Sequence, residues 1–261
     1  MEEELKNEEN VFVKTQELVQ DLKEEEKAST LKTLSSPLDI LKKSFAFYKQ
    51  NIKKILGLFF LPVLFGILLF VVGLPLFVGV FVSGFNWSSL LLGLFFVFLL
   101  LIFYFLYLSS VVQLSLFNLF NSENPKELKA WSLFKDTYKK TGNFFWASLV
   151  LGFVLMVGFA LFIIPGLFLL TFYVFTSFIV YEDKLSIKQA MKKSREYIRG
   201  IEWKFASRLF FAIALLYVLN YVLSRFLSPI SGLISHFFLV PVFCIYIFSL
   251  YQEVKRIKVN I

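Results

Sequence analysis

Residues 144–181 read FFWASLVLGFVLMVGFALFIIPGLFLLTFYVFTSFIVY, without a charged side chain from end to end. A helix of about 20 apolar residues crosses the ~30 Å hydrocarbon core of a bilayer, so this stretch is long enough to cross, turn and return. The turn falls at 163–165. Pro165 has no backbone N–H, and the first turn of a helix is where that donor has no partner to lose. Spans over 144–163 and 165–182 follow.

Four more runs of this kind lie near 54–81, 89–117, 204–224 and 229–250. The whole chain agrees: of 261 residues, 57% are hydrophobic, 35 are Phe and 18% are charged. Soluble domains sit near 45–50% apolar and about 25% charged, so a soluble enzyme or nucleic-acid-binding domain is excluded. The expected fold is an all-α integral membrane protein with six transmembrane helices. The sequence has one Cys (Cys244) and one His (His236), which rules out a disulfide framework, a Cys-based zinc site and two-His chemistry. No cofactor is expected.

Orientation comes from the short connections, because Lys and Arg are retained on the cytoplasmic side. Five Lys precede the first span (Lys42, Lys43, Lys49, Lys53, Lys54) and five lie in 118–143 (Lys126, Lys129, Lys135, Lys139, Lys140). Seven Lys and Arg lie in 183–204, and Lys255, Arg256 and Lys258 follow the last span. The opposite connections, 82–88, 163–165 and 225–228, contribute Arg225 alone. Both termini are therefore expected in the cytoplasm and the chain in the cytoplasmic membrane. Residues 1–34 form an acidic, partly disordered tail, with ten acids and four Lys in 1–27; a short helix using Val11, Phe12, Leu18, Val19 and Leu22 is the competing reading. This Glu-rich start is not a signal peptide. Residues 35–261 form the membrane domain.

Each cytoplasmic connection reads alike: a cap, a short amphipathic helix, a basic or polar junction, then a membrane hairpin. The caps are Ser36-Pro37-Leu38-Asp39, Asn124-Pro125-Lys126-Glu127 and Ser186-Ile187-Lys188-Gln189. Each has a side-chain acceptor at the N-cap and an acid or amide three residues on. In the third helix Ile187, Ala190, Met191, Ser194 and Ile198 share one face and Lys188, Lys192, Arg195 and Arg199 the other. In the first, Leu38, Leu41, Phe45 and Tyr48 share a face. The middle helix, counted from its cap, is a turn longer. The junctions are Lys49-Gln50-Asn51, Thr141-Gly142-Asn143 and Arg199-Gly200-Ile201. The pattern describes three repeats of interfacial helix plus hairpin. Such helices either bind headgroups or a partner, or only cover helix ends and set orientation.

Ile164-Pro165-Gly166, a span ending in Tyr181-Glu182-Asp183, then Ile187-Lys188-Gln189-Ala190-Met191-Lys192-Lys193-Ser194 and Arg199-Gly200, resembles the membrane domain of bacterial glycerophosphoryl diester phosphodiesterases and its stand-alone six-span relatives. The similarity covers roughly 36–255. Ile201 stands where members usually have Asn after the junction Gly, whereas Asn143 fits at the middle repeat. The resemblance implies a six-helix bundle and no activity, since the family's soluble catalytic barrel, with its metal and His residues, is absent here.

Polar groups inside spans are the candidate functional residues, because burying them in hydrocarbon is costly. Asn220 and His236 lie at similar depth in the last hairpin, ~7 and ~10 Å below the outer surface at ~1.5 Å per residue. They form a possible intramembrane pair, either a helix–helix hydrogen bond or a proton-linked or ligand group. Ser109, Ser110 and Gln113 near the cytoplasmic end of the second span either form a polar face toward the bundle interior or simply mark the approach to the interface. Arg208 is expected to reach back to inner-leaflet headgroups, with Lys49, Lys140, Lys192, Arg195 and Arg199 as further headgroup contacts. Glu182 and Asp183 end the fourth span, either beside Lys184 and Arg208 or simply as a solvated helix end. Ser148 with Gly152, and Gly79 with Ser83, are small-residue pairs suited to helix contact. Pro62, Pro75 and Pro241 read as kinks.

These features suggest a non-enzymatic membrane protein that organises lipids or partner proteins through a basic cytoplasmic surface. A small-molecule or lipid transporter with a polar cavity between spans is the alternative. The expected partners are anionic headgroups of the bilayer and a protein, not nucleic acid.

Overall fold

The computed structural model describes residues 34–82 and 87–259. The acidic segment through residue 33 and residues 83–86 of the expected connection, with Ser83 of the Gly79–Ser83 pair, lie outside the described residues. Among the described residues every regular element is a helix. These are α1 (Pro37–Val82), α2 (Trp87–Phe120), α3 (Ala130–Tyr138), α4 (Gly142–Leu161), α5 (Ile163–Tyr173), α6 (Thr176–Asp183), α7 (Ile187–Ile198), α8 (Glu202–Phe226), α9 (Ser231–Ile234) and α10 (Val240–Val259), the last two joined by a π-helical turn over Ser235–Leu239. Six helical stretches are long and apolar enough to cross a membrane: Pro37–Leu68, Gly93–Phe120, Gly142–Leu161, Ile163–Asp183, Glu202–Phe226 and Ser231–Lys258. The protein is a polytopic, all-helical membrane protein.

Caps place the helices that precede the hairpins. The Asp39 N–H donates to Ser36 Oγ (3.2 Å), whose own proton goes to the Asp39 carboxylate (2.7 Å), with Pro37 opening α1. At α7 the Ser186 N–H donates to Gln189 Oε1 (3.2 Å), completing a capping box. The middle cap behaves differently. Asn124 closes only an isolated turn through Glu127 N–H (3.3 Å), and α3 begins at Ala130 after an extended Lys129. The Pro125 carbonyl is taken by Lys54 of α1. The expected long middle helix is thus corrected to nine residues, because its first turn is used to tie the loop to the first span.

Two spans are interrupted, and each interruption leaves a carbonyl that must find a donor in a medium without water. Pro241 has no N–H to give Phe237 four residues back, and the chain widens into the π turn just before it. The Tyr48 hydroxyl donates to the Phe237 carbonyl instead (3.0 Å). The fourth span breaks between α5 and α6, at Val174 and Phe175, and the Ser194 hydroxyl of α7 donates to the Phe172 carbonyl (2.7 Å). Ser194 sits on a helix outside the spans, and Tyr48 sits on the part of α1 that precedes its kink at Asn51.

The core gathers at one end of the bundle, where Leu108–Leu119 of α2, Phe175–Val180, Ile245–Ile257 of α10 and Ile40–Phe59 of α1 bury their side chains. At the other end apolar side chains face outward: Phe162 is 72% exposed, Phe226 79% and Tyr217 73%. Each large apolar side chain left in water forgoes about 1.5–3 kcal/mol, so hydrocarbon is the surrounding these helices fit. Lipid gives helices no hydrophobic drive to associate, which leaves close packing and interhelical hydrogen bonds. The close packing is at Gly158 and Gly166: a Cβ on Gly166 would stand 2.4 Å from the Phe159 ring, and one on Gly158 2.5 Å from Leu169. Gly152 faces open space, so Ser148 and Gly152 do not form a crossing; Ser148 instead donates or accepts with Ser177 at 3.0 Å.

Candidate functional site: the basic end of the bundle

Alternating helix directions bring residues 35–54, 118–140, 182–208 and 246–258 to the same end, and side chains join them there. Glu182 at the end of α6 accepts from the Tyr251 hydroxyl and the Lys255 ammonium, both at 2.6 Å. Of the two readings open for Glu182, neither Lys184 and Arg208 nor solvent alone holds it; α10 supplies its donors. Asp183 pairs with Lys193 at 3.0 Å, and this hydrogen bond is the main reason the Lys193 ammonium titrates above its ordinary 10.5. Asn118 donates to the Tyr181 hydroxyl (3.1 Å), Gln252 to Asn121 (2.8 Å) and Lys258 to the Arg199 carbonyl (2.7 Å).

Arg208 is the largest departure from the sequence reading. Its guanidinium does not reach free toward headgroups. It donates to the backbone carbonyls of Ser35 (2.7 Å), Leu34 (2.9 Å) and Lys204. A planar fork of donors suits several carbonyls at once, and carbonyls set inside the protein spare it a desolvated, unpaired charge. Glu253, which is buried, accepts the Ser35 N–H (3.1 Å) and lies 3.8 Å from Lys43. The start of the membrane domain is therefore held between α8 and α10. The Tyr246 hydroxyl donates to the carbonyl of Arg208 itself (3.1 Å).

The other candidates separate into surface and interior. Lys49, Lys140, Lys192, Arg195 and Arg199 are all exposed. On α7, Ala190, Ser194, Tyr197 and Ile198 are buried while Lys188, Lys192, Arg195 and Arg199 point out, with the Arg195 guanidinium 5.7 Å from the Phe172 ring centre. On the 37–50 part of α1 the expected apolar face divides. Ile40, Ser44 and Tyr48 are buried, whereas Leu38 and Phe45 are 57% and 59% exposed beside Lys42. The buried row is set by the docking of Tyr48, which turns Leu38 and Phe45 outward.

Asn220 and His236 do not bond each other. Asn220 donates to the Leu216 carbonyl of its own helix (3.1 Å), and His236 stands edge-on to Phe59 (5.5 Å) and Phe237. The π turn re-aims residues 235–239, carrying the imidazole toward α1. Ser109 and Gln113 are exposed and only Ser110 is buried, donating to the Leu106 carbonyl (3.0 Å), so these residues do not line one polar face. Among the described residues no three of His, Cys, Asp and Glu converge as a metal needs.

Cavities open beside the helices at the basic end. One, of about 390 Å³, lies between the 37–50 helix, α8 and α10, with Lys42 at its edge. Another, about 260 Å³, lies between α3 and the first two spans, bordered by Trp131, Tyr138, Lys135 and Lys139. A third, about 460 Å³, is lined by Lys43, Phe47, Phe120, Gln252, Glu253 and Arg256. Comparison with protein-family models, with curated proteins and with solved structures finds no match. The residues missed by sequence reasoning, Tyr48, Ser194 and Glu253, have partners far along the chain; the only local signal was Pro241, which demands a donor for Phe237.

Proposed function

We propose that the protein is a non-enzymatic component of the cytoplasmic membrane, with both termini inside, that organises anionic lipids through its basic end. The observation that carries the proposal is α7, which places Lys188, Lys192, Arg195 and Arg199 on one exposed face while its opposite face packs on the spans. A helix of this kind lies in the headgroup layer, where each basic side chain is worth about 1 kcal/mol toward an anionic surface.

A repeated architecture supports it. Ser36, Lys42-Lys43-Ser44 and Asn51 stand in the same order and spacing as Ser186, Lys192-Lys193-Ser194 and Ile201. Asn51 (φ −113°, ψ 16°) and Ile201 (φ −128°, ψ 16°) share one backbone conformation. Lys43 approaches Glu253 near the end of the sixth span as Lys193 approaches Asp183 at the end of the fourth. In this reading the interfacial helices recur with their hairpins, each seated on the ends of a neighbouring pair of spans. It is also the organisation that the resemblance to phosphodiesterase membrane domains implies.

The test is lipid enrichment. The full-length protein, reconstituted in vesicles of phosphatidylglycerol and phosphatidylethanolamine and extracted gently, should retain phosphatidylglycerol above its mixing ratio by native mass spectrometry. Combined Lys188→Glu, Lys192→Glu and Arg199→Glu substitutions should remove that enrichment. Unchanged enrichment in the variant would refute the proposal, as would a stoichiometric protein partner retained from native membranes in place of lipid.

A further inference from the structure

The cavity between the 37–50 helix, α8 and α10 is lined almost wholly by hydrocarbon: Leu41, Phe45, Phe211, Leu215, Leu219 and Phe243 form most of its wall. Its two tyrosines, Tyr48 and Tyr246, have already given their hydroxyl protons to the carbonyls of Phe237 and Arg208. No water site is built there, since a water needs two to four polar partners. Left empty, such a groove forfeits the dispersion contacts of every atom around it. Beyond the 37–50 helix its walls belong to the fifth and sixth spans, so the hydrocarbon of the bilayer is what adjoins it. At the edge stands Lys42, exposed, with exposed Leu38 one turn before it and exposed Phe45 one turn after. That order of apolar, cationic and apolar groups on one face suits the boundary between acyl chains and phosphates. The one carboxylate close by on this helix, Asp39, is held in the cap by Ser36.

We propose that this groove binds one acyl chain of an anionic phospholipid, whose phosphate is met by Lys42. The site rests on the reading of the basic end as a headgroup surface and adds to it a discrete place of fixed stoichiometry. Arg208 does not line the groove, and three of its five N–H donors go to Leu34, Ser35 and Lys204. A second cavity of related build, beside Lys135 and Lys139, is walled by aromatic rings and is smaller.

The experiment uses the full chain with the photo-reactive Phe211→p-benzoylphenylalanine substitution, reconstituted in mixed phosphatidylglycerol and phosphatidylethanolamine vesicles, irradiated and weighed intact. The expected product carries a single phospholipid, with phosphatidylglycerol favoured about fivefold, the ratio that about 1 kcal/mol for one Lys gives. The same probe at Tyr217, on the outward face of α8, should label without headgroup preference. Adding Lys42→Glu should leave the Phe211 adduct in place and abolish its preference. A crosslink from position 211 to residues 1–33 or to a second copy of the chain would overturn the proposal. So would a preference that survives Lys42→Glu or that equals the one at Tyr217. Loss of the groove preference with bulk enrichment intact overturns the groove alone. Loss of bulk enrichment with a selective groove adduct intact overturns the broader reading alone.

Discussion

Replacing Tyr48 by Phe deletes one oxygen and keeps the ring that lies 5.9 Å from Phe238. The oxygen is the donor to the Phe237 carbonyl, which lost its helical partner because residue 241 is Pro. An orphaned carbonyl in this setting should cost about 1–2 kcal/mol, between the averages measured for interhelical bonds in membranes and the penalty of an unsatisfied buried group. Pro241→Ala supplies an N–H four residues from Phe237 and should refill that acceptor from within the helix. The loss of the Tyr48 hydroxyl should then cost less than about 0.5 kcal/mol, a coupling near 1 kcal/mol between two side chains on different helices. The cycle is measurable by reversible unfolding of the four proteins in mixed micelles, followed by far-ultraviolet circular dichroism and extrapolated to zero denaturant. If Tyr48→Phe costs the same in both backgrounds within about 0.3 kcal/mol, the freed carbonyl is not what holds the first helix on the last span.

Arg208→Ala should release residues 34–35 from α8, raising proteolysis and amide exchange just before Ser36, at a stability cost of about 1.5–3 kcal/mol for charged hydrogen bonds; unchanged protection there would refute the clamp. Gly166→Val should destabilise by about 1–3 kcal/mol through collision with Phe159, whereas Gly152→Val, facing open space, should be nearly silent in the same unfolding assay. Lys193→Met should cost less than about 1 kcal/mol, because the pair with Asp183 is partly exposed. The Lys193 pKa is raised by folding, so its contribution is complete below the unfolded value of 10.5 and disappears as pH climbs through the higher folded value. Wild type and Lys193→Met should therefore differ equally at pH 7 and 9 and converge only above about 10.5.

The spans were legible because hydropathy is a local quantity: a run such as 144–181 marks a membrane crossing whatever the rest of the chain does. The turn expected at 163–165 falls instead at Phe162, whose extended backbone separates α4 from α5, and Pro165 lies in the first turn of α5. The burial of Ala190, Ser194 and Ile198 opposite Lys188 and Lys192 follows from helical spacing alone. What could not be read locally were the partners of unpaired backbone groups. The break at Val174 and Phe175 has no Pro or Gly to announce it, and its carbonyl is satisfied by a serine on another helix. Arg208 looked like a surface anchor because a single Arg near a helix end usually is one; two of its three acceptors lie more than 170 residues earlier in the chain. Asn220 and His236 matched in depth, but depth fixes only one of three coordinates. The turn of each helix about its own axis decided that they stay apart.

Tyr48 is synthesised 189 residues before the carbonyl it serves. At about 5–20 residues per second, a ribosome takes on the order of ten to forty seconds to reach Phe237, and longer to release it from the exit tunnel. Through that interval the 37–50 helix lacks its contacts with the last span, while Phe120 of α2, 5.1 Å from Phe47, is already made. Its outward Leu38, Lys42 and Phe45 give it a resting place on the membrane surface in the meantime. Docking of Tyr48 therefore waits for the last span, and a chain stalled before that span leaves the hydroxyl without its acceptor.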